Sequence, residues 1–93
     1  LKKAERSFVY VLGCAGPRGA STYVGWTNDI ARRLAAHNAG RGARSTRGRN
    51  WQLLYVEYFD SRTDAMRREV FLKRARRLRK KLSAGISLFS AVP

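Results

Sequence analysis

Arg33 and His37 are the first residues of this chain that suggest chemistry. In TNDIARRLAAHN (27–38) a helix turning about 100° per residue puts Ile30 and Leu34 on the buried stripe. Arg33 and His37 then fall together on its flank, and Arg32 points well away. Arg33 is thus the member of that arginine pair held against the body of the protein. Taken singly, Arg33 fits a side chain that lays its stem on apolar surface, and His37, the sole histidine, fits an ordinary boundary residue.

Glu69 is the sharper anomaly. In DSRTDAMRREVFLKRA (60–75) Ala65 and Leu72 lie to one side of it and Met66 and Val70 to the other. A helix therefore sets this carboxylate inside an apolar arc, with Lys73 one turn later on the same face. Such a carboxylate is costly unless paired or bound to a metal. A Glu69–Lys73 pair would contribute a few tenths of a kcal/mol if exposed; the other reading is a metal ligand at the edge of a cleft. Elimination favours the ligand. Of six acids, Glu5 lies at the chain start, and Asp29, Asp60 and Asp64 stand where helix starts use acids. Glu57 sits in a strand, on the face of Tyr55 and Phe59, as a cross-strand partner or a site residue. A two-metal site needs more carboxylates than this. One Mg²⁺, completed by water and phosphate, is more economical, with Mn²⁺ as the alternative.

Tyr10 and Tyr23 fall on adjacent strands. A phenol is a poor base in water, with a pKa of about 10, and neighbouring cations or a metal would lower it. Gly25, two residues after Tyr23, leaves room for a phosphate or a helix end to approach the strand. NAGRGARSTRGRN (38–50) is rich in Gly and Arg, has no acid and lacks apolar periodicity, so it reads as a basic loop. Its glycines let a backbone approach phosphate, and Ser45, Thr46 and Arg47 can donate to it. A solvated linker is the alternative.

The elements that must position these groups follow from pattern. SFVYVLGCA (7–15) alternates as a strand, with Phe8, Tyr10 and Leu12 on one face and Val9 and Val11 on the other. GPRGAS (16–21) is a loop, and TYVGW (22–26) a second strand antiparallel to the first. Thr27 or Asn28 caps a helix over Asp29–His37. WQLLYVEYF (51–59) is a third strand whose two apolar faces suit a central or covered position. Ser61 and Asp64 approximate a capping box for the helix of 60–75. RRLRKKLSAG (76–85) is a shorter, very basic helix with Leu78 and Leu82 inside and Gly85 ending it; no element type is assigned to ISLFSAVP. The order β-β-α-β-α-α describes an α+β domain with helices on a small antiparallel sheet.

Composition narrows the function classes. Ninety-three residues fit one domain, 1–93. The single Cys14 excludes an internal disulfide and a cysteine-based zinc site, and fits a reducing, cytoplasmic location. No apolar run approaches the roughly 18 residues of a membrane span, and LKKAERSFVYVLG reads as the start of a strand rather than a signal peptide. Twenty Lys+Arg against six Asp+Glu give a net charge of +14, which points to a polyanionic partner, nucleic acid before others. A ribosome-associated basic protein shares that charge.

FVY (8–10), YVG (23–25), Arg33, His37 and Glu69, in that order, resemble the signature of the GIY-YIG nuclease superfamily. The loop GRGARSTRGR, the stretch LLYVEYFDSRTDAMRRE and the following LKRARRLRKK are similar to its small stand-alone bacterial members, so the resemblance covers about residues 7–83. Phe8 stands where the family has its first glycine, and Trp26 where some repair nucleases have a lysine. The resemblance implies a three-stranded antiparallel sheet flanked by helices and metal-dependent hydrolysis of DNA phosphodiesters. It implies that one of Tyr10 and Tyr23 helps deprotonate the attacking water and that Arg33 contacts the scissile phosphate. His37 would support the site and Glu69 would bind the metal. Thr46 and Arg47 match a recurrent Thr-Arg pair and are expected, with Gly25, Ser45 and Lys73, to bind substrate. Single-stranded DNA is the expected substrate, with Trp26 and Trp51 as stacking candidates. A flap or branched-DNA nuclease and a non-catalytic DNA- or RNA-binding module on the same fold are the alternatives. No small-molecule cofactor and no membrane is expected; repair, recombination and degradation of incoming strands all fit.

Overall fold

Alternation in SFVYVLGC decides the middle of the fold. A computed structural model describes residues 6–90, with side chains to residue 84. Glu5 and the end of the ISLFSAVP tail, 91–93, lie outside the described residues. The elements are β1 (Ser7–Cys14), β2 (Ser21–Thr27), α1 (Ile30–Asn38), a 3₁₀ turn (Arg44–Thr46), β3 (Gln52–Phe59), α2 (Arg62–Arg74) and α3 (Arg76–Ser90). The strands form one antiparallel sheet in the order β2-β1-β3. Val9 and Val11 face Ala65 and Leu72 of α2 and Leu82 of α3, together with Val24. Tyr10, Leu12 and Cys14 face Ile30 and Leu34 of α1, together with Trp51. The sheet is therefore covered by α1 on one face and by α2 and α3 on the other. β1, covered on both faces, has no polar alternation to show.

The expectation of a central or covered β3 is corrected. β3 is an edge strand, and Leu53, Val56 and Tyr58 are exposed. A bulge explains why its pattern misleads. Val11 pairs with Tyr55 but Leu12 pairs with Leu53, so Leu54 is an extra residue. Leu54 and Tyr55 then both pack toward the α2–α3 side, and the period of two breaks. Glu57 is a partner between elements: it accepts from Arg68 at 2.8 Å and from the Tyr55 hydroxyl at 2.9 Å.

Helix ends follow capping chemistry with two adjustments. Asp29, rather than Thr27 or Asn28, caps α1, its carboxylate accepting from the Arg32 amide at 3.1 Å. Thr27 instead accepts from the Asp29 amide at 3.1 Å, forming the turn into the cap. Ser61 caps α2 by accepting from the Asp64 amide at 3.3 Å. Gly85 does not stop α3, which runs on to Ser90. One interior glycine costs only about 1 kcal/mol relative to alanine and does not by itself end a helix. At the α2–α3 corner the Arg79 guanidinium donates to the Leu72 carbonyl (3.1 Å), the Lys73 carbonyl (2.9 Å) and the Thr22 hydroxyl (2.8 Å). It thereby satisfies the last carbonyls of α2 and ties both helices to β2.

Among the described residues no helix is long and apolar enough to cross a membrane.

Candidate active site

β1, β2 and α1 bring five of the expected residues together: Tyr10, Tyr23, Gly25, Arg33 and His37. Tyr10 and Gly25 are register partners on β1 and β2, as are Leu12 and Tyr23, so Tyr10 and Tyr23 share the face that α1 covers. Their ring centroids lie 6.3 Å apart, and the His37 ring sits 5.9 Å from Tyr10 and 4.9 Å from Tyr23. Gly25 makes this possible. A Cβ there would lie 2.5 Å from the Tyr10 hydroxyl and 3.1 Å from the Tyr23 ring. The space at Gly25, expected to admit a phosphate or a helix end, is taken by the two phenols, and the glycine itself is buried.

A chain of buried hydrogen bonds fixes the protons. Thr46 Oγ1 donates to the Ala43 carbonyl at 2.8 Å, and a carbonyl can only accept. The hydroxyl has no second proton, so at its 2.8 Å contact with His37 it accepts from Nδ1–H. Neutral imidazole with its proton on Nδ1 offers Nε2 as an acceptor, and the Tyr10 hydroxyl donates to it at 2.9 Å. The Tyr10 proton thus points at His37. Both His37 and Thr46 are fully buried. Gly42 closes the same pocket: a Cβ on it would lie 2.8 Å from His37 Cγ, and closer still to Nδ1.

This changes the reading of residues 38–50. The Asn38 side chain brackets the Trp51 backbone, accepting from its amide at 2.6 Å and donating to its carbonyl at 3.1 Å. The Trp51 indole donates to the Thr46 carbonyl at 2.8 Å. The loop is closed at its base and plugged by Thr46. Thr46 is therefore not a surface donor to phosphate; its hydroxyl is spent on His37 and Ala43. Ser45 and Arg47 beside it are exposed. Trp51 is a core residue, and Trp26 packs on the α2-side core with the Arg62 guanidinium 4.9 Å over its ring, so neither offers a free stacking face. Gly42 and the buried role of Thr46 carried no sequence signal beyond a glycine and a threonine in a loop of low periodicity.

Arg33 is partly buried beside the two phenols, whereas Arg32 is exposed, as helical geometry required. Tyr10 first, and then Tyr23, push the Arg33 pKa above its already high value, so it is always cationic. The Tyr10 pKa is raised: burial outweighs the opposing effect of Arg33, and the charges of Tyr23 and Glu69 add to the rise. A lowered phenol pKa was the expectation for this site; at Tyr10 desolvation dominates instead. His37 is pushed below its ordinary 6.5, by burial first and by Arg33 second. The unfolded chain takes up a proton near that ordinary value and the folded chain does not. The stability this contributes is complete above it and is lost as pH falls through the folded pKa. A proton NMR titration of this sole histidine should give a pKa below 6.5, with the unfolding temperature falling as the pH is lowered past that point. A midpoint at or above the ordinary value would contradict the buried neutral ring.

Glu69 joins from α2, close enough for its charge to act on Tyr10. Its side chain is 17 % exposed and its ion-pair partner is Lys73, with Nζ at 3.7 Å and mostly in solvent. The apolar arc around it is only half realised: Ala65 and Leu72 are buried, but Met66 and Val70 are exposed. No cluster of three or more His, Cys, Asp or Glu exists among the described residues. One hard carboxylate, held only by an ion pair to a largely exposed lysine, suits a Mg²⁺-like ion that keeps its waters and takes phosphate oxygens. It does not suit zinc or a caged metal pair.

Residues 6–82 match the family described as the GIY-YIG catalytic domain. A UPF0213 protein of Clostridium perfringens is 41 % identical over 75 residues, covering 80 % of this chain and 77 % of the relative. One of Halobacterium salinarum is 47 % identical over 73 residues, covering 77 % and 91 %. The solution NMR structure of a UPF0213 protein from Bacillus halodurans is 37 % identical, covers 88 % of this chain and 86 % of its own, and has a TM-score of 0.48. This chain, with its β-β-α-β-α-α order and its ordered Tyr, Tyr, Arg, His and Glu, belongs to the GIY-YIG catalytic domain family and carries that family's nuclease-type fold.

Proposed function

We propose that the protein hydrolyses phosphodiester bonds in DNA, single-stranded DNA first, with one divalent cation held by Glu69. The observation that carries this reading is the convergence of Arg33 on the two phenols, one of them anchored to a neutral buried histidine. A permanent cation there serves a phosphate whose charge grows as water adds. Mg²⁺, or Mn²⁺ in its place, would bind Glu69 together with water and phosphate oxygens and would supply charge neutralisation at the leaving oxygen.

The two tyrosines take different parts. Tyr10 is 2 % exposed, its proton is directed to His37, and its pKa is raised. It acts as the post that positions the site. Tyr23 is partly exposed, so it is the side chain assigned to orient the attacking water and, as its phenolate, to accept the proton that the water gives up. Ser45, Arg47 and Lys73, all exposed, contact the flanking phosphates.

A panel of end-labelled single-stranded, duplex, flap and junction DNA, incubated with Mg²⁺ and with chelator, tests the reading. Single strands should be cut fastest, and only with the cation. Preferential cutting of flaps or junctions would replace the substrate assignment. Salt-sensitive binding without turnover on any substrate would reduce the protein to a binding module.

A further inference from the structure

Away from the phenols, the β1–β2 hairpin carries a basic surface that the proposed chemistry does not use. A groove on one side of the hairpin is lined by Cys14, Arg18, Ser21, Arg49 and Gln52, among others. A second, on the other side, is lined by Arg18, Thr22, Arg76, Arg79 and Lys80 with small neighbours. The two share Arg18, Gly19 and Ala20 at the hairpin tip, and no acid lines either. The ion pairs found among the described residues, Glu57–Arg68 and Glu69–Lys73, leave Arg18, Arg49, Arg76 and Lys80 without a carboxylate partner. Arg76 and Lys80 are like charges at i and i+4 on α3, an arrangement that disfavours the helix by a few tenths of a kcal/mol. Arg79 differs: its guanidinium is spent on Leu72, Lys73 and Thr22, making it the floor of the groove.

We infer that these grooves form one continuous track for the phosphate backbone of single-stranded nucleic acid, turning around the hairpin tip at Arg18. The track points toward the candidate active site. Ser21, in the first groove, lies on the same face of β2 as Tyr23, roughly 7 Å away along the strand. A chain filling both grooves must bend sharply around the tip. A single strand does so readily, whereas a duplex, with a persistence length of about 150 base pairs, does not. The track therefore deepens the single-strand assignment and rests on it for the identity of the ligand.

Fluorescence anisotropy with labelled thymidine oligonucleotides in chelator tests the track without turnover. Cleavage with Mg²⁺ tests the active site separately, so either reading can fail alone. Affinity should rise from oligonucleotides of roughly 5 nucleotides to those of roughly 16. In a triple variant, Arg18→Ala/Arg76→Ala/Lys80→Ala, that rise should disappear. The long strand should bind at least tenfold more weakly, and the slope of log affinity against log salt should fall by about 2, from about 0.7 per lost phosphate contact. A matched variant, Arg6→Ala/Arg67→Ala/Arg74→Ala, removes the same charge from exposed positions outside both grooves. Equal losses in the two variants would reduce the effect to net charge and overturn the track. An unchanged length dependence in the first would overturn it as well, and so would an equal loss for duplex of the same length.

Discussion

Glu69→Gln should lower Mg²⁺-dependent cleavage of single-stranded DNA by about 10³-fold or more and leave the unfolding temperature close to wild type. The substitution keeps shape and removes charge. No group of three or more His, Cys, Asp or Glu stands among the described residues to take over, so the cation loses the anchor assigned to it. The stability cost is small because the carboxylate's ion-pair partner is the largely exposed Lys73 at 3.7 Å, and exposed helical pairs contribute about 0.3–0.5 kcal/mol. Arg33→Ala should cost about 10²–10³-fold, the range for removing one preorganised donor from a developing oxyanion. Arg32→Ala, from the exposed side of the same helix, should stay within a few-fold of wild type. Cleavage that survives Glu69→Gln would remove the metal assignment. Equal losses from Arg32→Ala and Arg33→Ala would mean that charge alone, and not the helix face, matters.

How far these assignments could be read from sequence depended on whether period or contact decides each residue. Alternation placed Tyr10 and Leu12 on one face of β1 and Val9 and Val11 on the other, and the helical period separated Arg33 from Arg32; both follow from local geometry and both match the structure. β3 escaped the same logic because one bulged residue, Leu54, breaks a period of two, and the apolar run then resembles a strand covered on both faces. The loop of 38–50 escaped it altogether. Its order comes from Asn38 clasping Trp51, from the indole on the Thr46 carbonyl and from a threonine beneath an imidazole. Those contacts join residues five, nine and thirteen positions apart in a segment without periodicity, so composition could report only its charge. Thr46, taken from sequence as a donor to phosphate, is for this reason a support of the histidine.

That support makes Gly42 a sensitive position in the loop. A methyl group on Gly42 would come within 2.8 Å of His37 Cγ and 2.9 Å of Cε1, closer than carbon atoms pack. The ring cannot retreat without loss, since Nε2 holds Tyr10, Nδ1 holds Thr46 and Tyr23 lies 4.9 Å from its centroid. Gly42→Ala should therefore cost about 1–3 kcal/mol from overpacking alone. At about 4–8 °C per kcal/mol for a domain of this size, the unfolding temperature should fall visibly. Cleavage should fall with it even at temperatures where the variant stays folded, because Tyr10 loses its acceptor. Thr46 separates the positioning effect from the packing effect. Thr46→Ser keeps both hydrogen bonds and should hold the sole histidine as the Nδ1–H tautomer, read by its ring ¹⁵N shifts. Thr46→Val keeps the volume but leaves Nδ1–H without an acceptor, so the second tautomer should appear. With Nε2–H then turned toward the Tyr10 hydroxyl, kcat should fall about tenfold with KM little changed, the signature of a site misaligned after substrate has bound. A Thr46→Val variant that keeps a single tautomer and full kcat would show that the loop shields the histidine without setting its proton.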